Sequence, residues 1–185
     1  HINSQVLRRM HRLGTRDDIL RCVDGAKKRG LTLRTTVMTG FPGETEEQFQ
    51  ELLSLVKEVE FDRLGAFAYS PEEGTPAARM PDQLPDEIKQ ERLDRIMTAQ
   101  NAISLKRNLL RVGSVEKVLV TDLREDGMGL GRSSREAPET DGEILFRCHG
   151  SAPEIGSFIQ VRITNAEPYD LLGDIFCPRM TRNEA

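Results

Sequence analysis

Two short stretches carry residue types suited to holding a nucleotide-like ligand. The first, Gly40-Phe41-Pro42-Gly43-Glu44, follows a β-branched, apolar run and precedes a capped helical pattern. A strand-to-helix bend of this kind sits at the C-terminal edge of a parallel α/β sheet, where ligands bind. Gly40 and Gly43 would let backbone approach a ligand closely, and Glu44 would accept hydrogen bonds from ligand hydroxyls or an amine. No Gly-Lys-Ser/Thr follows, so this is not a Walker loop. The same residues also read simply as a tight turn with a good helix cap. The second stretch, Phe67 to Ala77, places Tyr69 and Ser70 at the end of another apolar run. A flat aromatic and unpaired backbone groups there could hold an adenine. Glu72 and Glu73 are adjacent, do not converge as an acid/base pair, and read as loop solvation. Arg12 could grip a carboxylate in two-point fashion, or could serve only the dipole of the helix it closes. Arg34 reads as a solvent-facing cation, and His11 and His149 as surface histidines. No residue reads as catalytic and none as a metal ligand. Cys22, Cys148 and Cys177 are far apart and odd in number, which gives neither a disulfide framework nor a cluster-binding spacing.

The elements that must position these groups follow from periodicity. Asn3 to His11 reads as a short helix with Val6, Leu7 and Met10 on one face, ended by Gly14. Thr15 caps a second helix with Asp17 and Asp18 in its first turn and Ile19, Cys22, Val23 and Ala26 as its apolar stripe. Gly30 stops it. Leu31–Thr39 reads as a buried strand. Thr45 and Gln48 form a capping box before Phe49, Leu52, Leu53, Val56 and Val59, and Phe61–Tyr69 reads as a second strand. Strand, helix, strand is the alternation of a parallel sheet, open or closed into a barrel. Ser70–Pro85 is proline-rich loop. Asp86–Leu110 is a long polar helix with Ile88, Leu93, Ile96, Met97 and Ile103 as a sparse apolar side.

From Val112 the pattern changes to five short strands: Ser114–Thr121, Gly127–Ser133, Gly142–Phe146, Ser157–Asn165 and Leu171–Phe176. Read as antiparallel, they suggest a small barrel of the oligonucleotide-binding type. Charge shifts at the same point. Residues 1–111 hold 18 Lys and Arg against 17 Asp and Glu, whereas residues 112–177 hold 6 against 12. A module of net −6 disfavours non-specific binding to phosphate backbones and suits a basic partner, or is merely a solvated acidic surface. At 37% hydrophobic and 30% charged residues, and without an eighteen-residue apolar run, nothing reads as spanning a membrane. The expected location is cytoplasmic. His1 leads directly into a helical pattern, so the gene product is expected to start further upstream.

Taken together, these strings resemble a known family. His1, Ser4, Leu7, Met10 and Arg12 are similar to the "QH-x-S-x-x-x-L-x-x-M-x-R" segment of radical-SAM methylthiotransferases, without its leading glutamine. Arg34-Thr35-Thr36 followed by Gly40-Phe41-Pro42-Gly43-Glu44-Thr45 matches that family's "RTT…GFPGET". Tyr69 to Ala77 resembles "YSPEEGTPA", whose acidic pair is typical of the RimO-type branch; the tRNA-modifying branch usually has Arg-Pro there. Gly131-Arg132-Ser133, Ala137 to Gly142, and Tyr169-Asp170-Leu171 are similar to the TRAM domain of the same branch.

The resemblance implies a fold of mixed class, α/β plus all-β. The C-terminal half of a radical-SAM (partial TIM-type) barrel over residues 1–80 is followed by an outer or linker helix (81–111). A five-stranded TRAM, OB-like barrel (112–177) and a tail (178–185) complete the chain. It implies S-adenosylmethionine and two 4Fe-4S clusters in the full-length enzyme, their ligands lying in parts not in this chain. SAM is cleaved to an adenosyl radical that removes hydrogen from the substrate carbon, and a methylthio group is then attached. By the resemblance, Gly40, Phe41, Pro42, Gly43 and Glu44 line the SAM site, Tyr69 and Ser70 approach the adenine through backbone, and Arg12 binds the SAM carboxylate. The implied substrate is an aspartate of the twelfth small-subunit ribosomal protein, a basic partner held through the TRAM domain in preference to tRNA. The alternatives are a tRNA methylthiotransferase and a non-catalytic acidic module for a basic partner. The fragment alone is expected to be inactive. All of this requires the bend after Thr39 and the Tyr69 stretch to share one rim of a parallel sheet.

Overall fold

The structure is a computed structural model that describes residues 1–148 and 151–177. His149 and the tail 178–185 lie outside the described residues. The chain divides into two compact units, the first His1–Ser104 and the second beginning at Leu105.

In the first unit, helix α1 (Ser4–Arg9) starts at Asn3, whose side chain accepts the N–H groups of Gln5 and Val6. Helix α2 (Arg16–Lys28) starts with a reciprocal Thr15–Asp18 capping box. Its buried side is turned from the expected one. Ile19, Leu20 and Val23 pack against Ile2, Leu55, Val59 and Phe61, whereas Cys22 is exposed. Strand β1 (Arg34–Thr39), helix α3 (Glu46–Val59) and strand β2 (Arg63–Ala68) form one βαβ unit. The strands pair in parallel from Arg34 opposite Arg63 to Thr39 opposite Ala68. They are shorter than expected because the chain entering them is tied differently: the Leu33 N–H donates to the Asp62 carboxylate at 2.8 Å, while Phe61 turns into the core beside Ile2.

Alternation along β1 sends Val37 toward the helices and leaves Thr36 and Met38 on the other face. Val37 packs with Phe49, Leu52, Leu53 and Val56 of α3. The long helix α4 (Asp86–Leu109) joins this core through Ile96 and Ile103. Its buried side also includes Lys89, Arg92 and Gln100, each at most 5% exposed. Those residues recur at intervals of three and four and so lie on one helical face. Ile88, by contrast, is exposed.

In the second unit, β3 (Val115–Leu123), β4 (Met128–Arg132), β5 (Ile144–Arg147), β6 (Phe158–Ala166) and β7 (Leu171–Ile175) close in the ring order β3-β4-β5-β7-β6. This is the oligonucleotide-binding type of barrel, with one correction: β5 and β7 pair in parallel. Five strands in a closed ring cannot alternate direction throughout, since alternation needs an even number. Val118, Val120, Ile144, Phe146, Val161, Ile163 and Leu171 fill the interior. Register shifts between Val120 and Asp122 and between Ile163 and Asn165 supply the bends that closure needs.

A buried ionic staple ties the entry to this barrel. The Arg111 guanidinium donates to both oxygens of Glu116 at 2.9 and 2.7 Å and to Glu136 at 2.6 Å. The Ser133 N–H and hydroxyl donate to the second Glu136 oxygen. Burial raises the pKa of each carboxyl, but the bonds and charge of Arg111 outweigh it and hold both below the usual carboxylate range.

Candidate functional site

The bend after β1 and the end of β2 stand side by side. The Tyr69 N–H donates to the Thr39 carbonyl at 2.8 Å, extending the parallel pairing by one step past both strands. Both segments therefore lie at the C-terminal rim of the sheet, the edge at which α/β folds place ligands.

Within the bend, Gly40 and Gly43 have φ of +73° and +72°. A Cβ on Gly40 would lie 2.5 Å from Lys89 Cγ, and one on Gly43 2.2 Å from Arg9 Nη1. The groups that crowd these glycines are thus the protein's own α4 and α1 side chains. Glu44 is engaged by the protein itself through one oxygen. It is fully buried, and its Oε1 accepts the Gly40 N–H at 3.1 Å and Arg92 Nη1 at 2.7 Å. Arg92 Nη1 donates in addition to the Glu44 carbonyl at 3.0 Å. The second carboxylate oxygen is 3.5 Å from His1 Nε2. Through Oε1 Glu44 therefore fixes the bend from behind, while its buried Oε2 has no hydrogen-bond partner among the described residues. Arg9 braces the same loop by donating to the Gly43 carbonyl at 2.8 Å and to Gln48 Oε1 at 3.2 Å.

Phe41 and Tyr69 meet edge to face, their centroids 5.4 Å apart and their planes at 71°. Both are buried among Val6, Met10, Met38 and Met80. In front of Phe41 is a cavity of about 360 Å³ whose apolar wall is Met10, Met38, Phe41, Phe67 and Met80, with Thr36 and Thr75 contributing hydroxyls. That is within the size range of small-molecule sites. Arg9 and Arg12 stand on its lining. Arg9 is engaged by the loop, whereas the Arg12 side chain is exposed and enters no hydrogen bond or ion pair among the described residues. Arg12 lies beyond the helix it was expected to close, held by its N–H to the Leu7 carbonyl at 2.9 Å. An apolar slot with one uncommitted guanidinium can hold a flat, largely apolar group that carries a carboxylate.

Of the residues that the resemblance assigns to the SAM site, Arg12 and Phe41 line this cavity, and His11, read from sequence as a surface histidine, lines it too. Pro42 is buried in the bend and Ser70 is exposed just past the Tyr69 strand end. Tyr69 supports Phe41, with Lys89 Nζ 5.7 Å from its ring centroid. Three contributors escaped sequence reasoning. Met38 was marked only by the period of two on either side of Val37, and Thr36 by that period and as the last residue of the Arg34-Thr35-Thr36 motif, with no role attached to it. Arg92 was hidden in a helix that looked polar all round, where the one available signal was its spacing from Ile96. The three cysteines are free thiols: Cys22 and Cys177 are exposed and Cys148 is partly buried. Among the described residues, no three His, Cys, Asp or Glu side chains are placed to share a metal ion. No described helix is long and apolar enough to cross a membrane.

Comparison with known proteins gives two domain matches. Residues 1–56 match the radical SAM superfamily and residues 112–176 match the TRAM domain. The chain is also similar to proteins named "Ribosomal protein uS12 methylthiotransferase RimO". It is 44% identical to that of Geobacter sulfurreducens over 95% of this chain and 40% of the relative. It is 47% identical to that of Pelotomaculum thermopropionicum over 94% and 40%, and 48% identical to that of Desulforudis audaxviator over 92% and 38%. The chain thus spans about two fifths of the length of the curated relatives it matches.

Proposed function

Residues 1–56 belong to the radical SAM superfamily and residues 112–176 to the TRAM domain family, and on that premise we propose that the chain is part of a RimO-type methylthiotransferase. The reaction transfers a methylthio group to an aspartate of the twelfth protein of the small ribosomal subunit. The observation that carries this reading is 44–48% identity, over more than nine tenths of the chain, to proteins named for that activity. Residues 1–80 are the radical-SAM barrel portion, 81–111 the connecting helix, 112–177 the TRAM module and 178–185 a tail.

S-adenosylmethionine takes the cavity in front of Phe41. Its apolar wall and the uncommitted Arg12 suit a nucleoside body with a carboxylate end. Arg12 grips that carboxylate, and Phe41, braced by Tyr69, shapes the wall. Gly40, Pro42, Gly43 and Glu44 hold the bend in place, with Glu44 acting through Arg92 and the Gly40 N–H. The backbone from Tyr69 to Ser70 offers polar groups to the adenine. When bound, SAM together with a reduced four-iron cluster supplies radical hydrogen abstraction. Two such clusters belong to the full enzyme, and this chain's described residues offer no ligand set for either.

The TRAM module, with 12 acidic against 6 basic residues over 112–177, favours the basic ribosomal protein over tRNA as partner, and the enzyme works in the cytoplasm. The test gives the full-length, cluster-loaded enzyme purified uS12 or bulk tRNA, with SAM and reductant, and reads methylthio incorporation by mass spectrometry. Modification of the uS12 aspartate alone is expected. Incorporation into tRNA with none in uS12 would overturn the substrate assignment.

A further inference from the structure

His1 opens the first motif of the chain and stands on the lining of the cavity in front of Phe41. Its side chain is fully buried. The two ring nitrogens have different partners. Nδ1 accepts the N–H groups of Ile2 and Asn3, each at 3.0 Å, and so carries no proton. The proton of the neutral ring is therefore on Nε2. That nitrogen faces Glu44 Oε2 at 3.5 Å. Both atoms are buried, and neither has a hydrogen-bond partner among the described residues. A buried donor and a buried carboxylate oxygen are each costly when left unpaired. Closing by about half an ångström would satisfy both.

The pair joins elements that frame the cavity. Glu44 is anchored from α4 by Arg92 at 2.7 Å. His1, through the N–H groups of Ile2 and Asn3, holds the start of α1, where Asn3 is the cap. At the other end of α1, Arg9 donates to the Gly43 carbonyl at 2.8 Å. Helix α1 is thus clipped to the bend at both ends, by His1 to Glu44 and by Arg9 to Gly43. Asn3 and Gln5 tie the same helix to α3 through Glu51 and Gln48. Those bonds hold α1 to α3, whereas the two clips hold it to the bend. A helix of six residues has little stability of its own, so such contacts set its position. Arg12 follows directly, its N–H held by the Leu7 carbonyl at 2.9 Å.

We infer that His1 is a positioning residue: bonded to Glu44, it sets Arg12 at the distance from the Phe41 wall that a ligand with an adenosine body and a carboxylate end requires. The inference rests on the placement of SAM proposed for this cavity. A ligand that touches only the Phe41 wall does not sense that distance.

The experiment measures binding of SAM and of adenosine to the full-length, cluster-loaded protein by titration calorimetry. His1→Asn keeps an acceptor for the Ile2 and Asn3 N–H groups but is too short to reach Glu44. His1→Gln keeps a donor for Glu44 but gives up that acceptor. Each cuts one link, and each should weaken SAM about tenfold, the scale of a displaced charge-assisted bond, while leaving adenosine binding unchanged. In an Arg12→Ala background neither should cost a further factor, because His1 acts through Arg12. Four results would overturn the inference: variants that bind SAM like the parent, losses that add to that of Arg12→Ala, adenosine weakened as much as SAM, or both variants losing a cooperative thermal transition, which would make His1 a residue of the fold alone. A parent that does not bind SAM would remove the placement itself, and that is seen before any variant is made.

Discussion

Replacing Arg92 with methionine should be among the most damaging single changes to the first unit. The guanidinium makes two bonds to Glu44, at 2.7 Å to the carboxylate and 3.0 Å to the carbonyl. The two side chains are 6% and 0% exposed. Arg92→Met keeps much of the apolar stem but strands a buried carboxylate with the Gly40 N–H and His1 as neighbours. Breaking one partner out of a buried pair costs about 3–5 kcal/mol, a large share of the roughly 5–15 kcal/mol that holds a domain folded. A second change separates stranded charge from lost packing. Arg92→Met combined with Glu44→Gln removes the charge while keeping an acceptor for the Gly40 N–H, so it should recover more than half of the loss. Urea unfolding of parent, single and double variants, followed by near-ultraviolet signal from Tyr69 and its neighbours, provides the comparison. An Arg92→Met protein within about 1 kcal/mol of the parent, inside the range of an ordinary surface pair, would refute the reasoning. So would a double variant as unstable as the single one.

The Arg111 staple makes the barrel acid-sensitive. Glu116 and Glu136 are held below their unfolded-chain value of about 4.3, so their stabilisation is complete above that pH and is lost as pH falls through the lower folded values. The protection of the Val115–Leu123 amides, taken against the intrinsic exchange rate at each pH, should fall below that pH in the parent, and Arg111→Met should abolish most of the dependence. Gly43→Ala forces a side chain into a left-handed residue and onto Arg9, which should cost about 1–3 kcal/mol, measured by calorimetry. Arg12→Ala should weaken SAM binding to the full-length protein by about tenfold or more, the scale of a charge-assisted bond, while leaving the melting temperature unchanged, because Arg12 is exposed.

The elements were legible where one local rule decided them. The Thr15 and Thr45 boxes, the helical spacing from Phe49 to Val59 and the glycine-bounded strands of the barrel each announce themselves within a few residues. The rim itself could be anticipated, since a βαβ unit brings both strand ends to one edge. What the site residues do there could not. That Arg92, 48 positions away in sequence, takes one of the two Glu44 oxygens is visible only in the structure. Gly40 and Gly43 look like room for a ligand until Lys89 and Arg9 are seen to fill that room. Helix α4 hides its buried face because Lys89, Arg92 and Gln100 are polar, and only tertiary partners reveal which side is inside.

The central claim is that the bend after Thr39 and the strand end at Tyr69 form the wall of a nucleoside site. A crystal structure of the full-length, cluster-loaded protein soaked with S-adenosylmethionine addresses it most directly. The adenosine is predicted against Phe41 and Met38, with the carboxylate on Arg12. Density for the molecule at another edge of the sheet, with the slot in front of Phe41 closed, would contradict it.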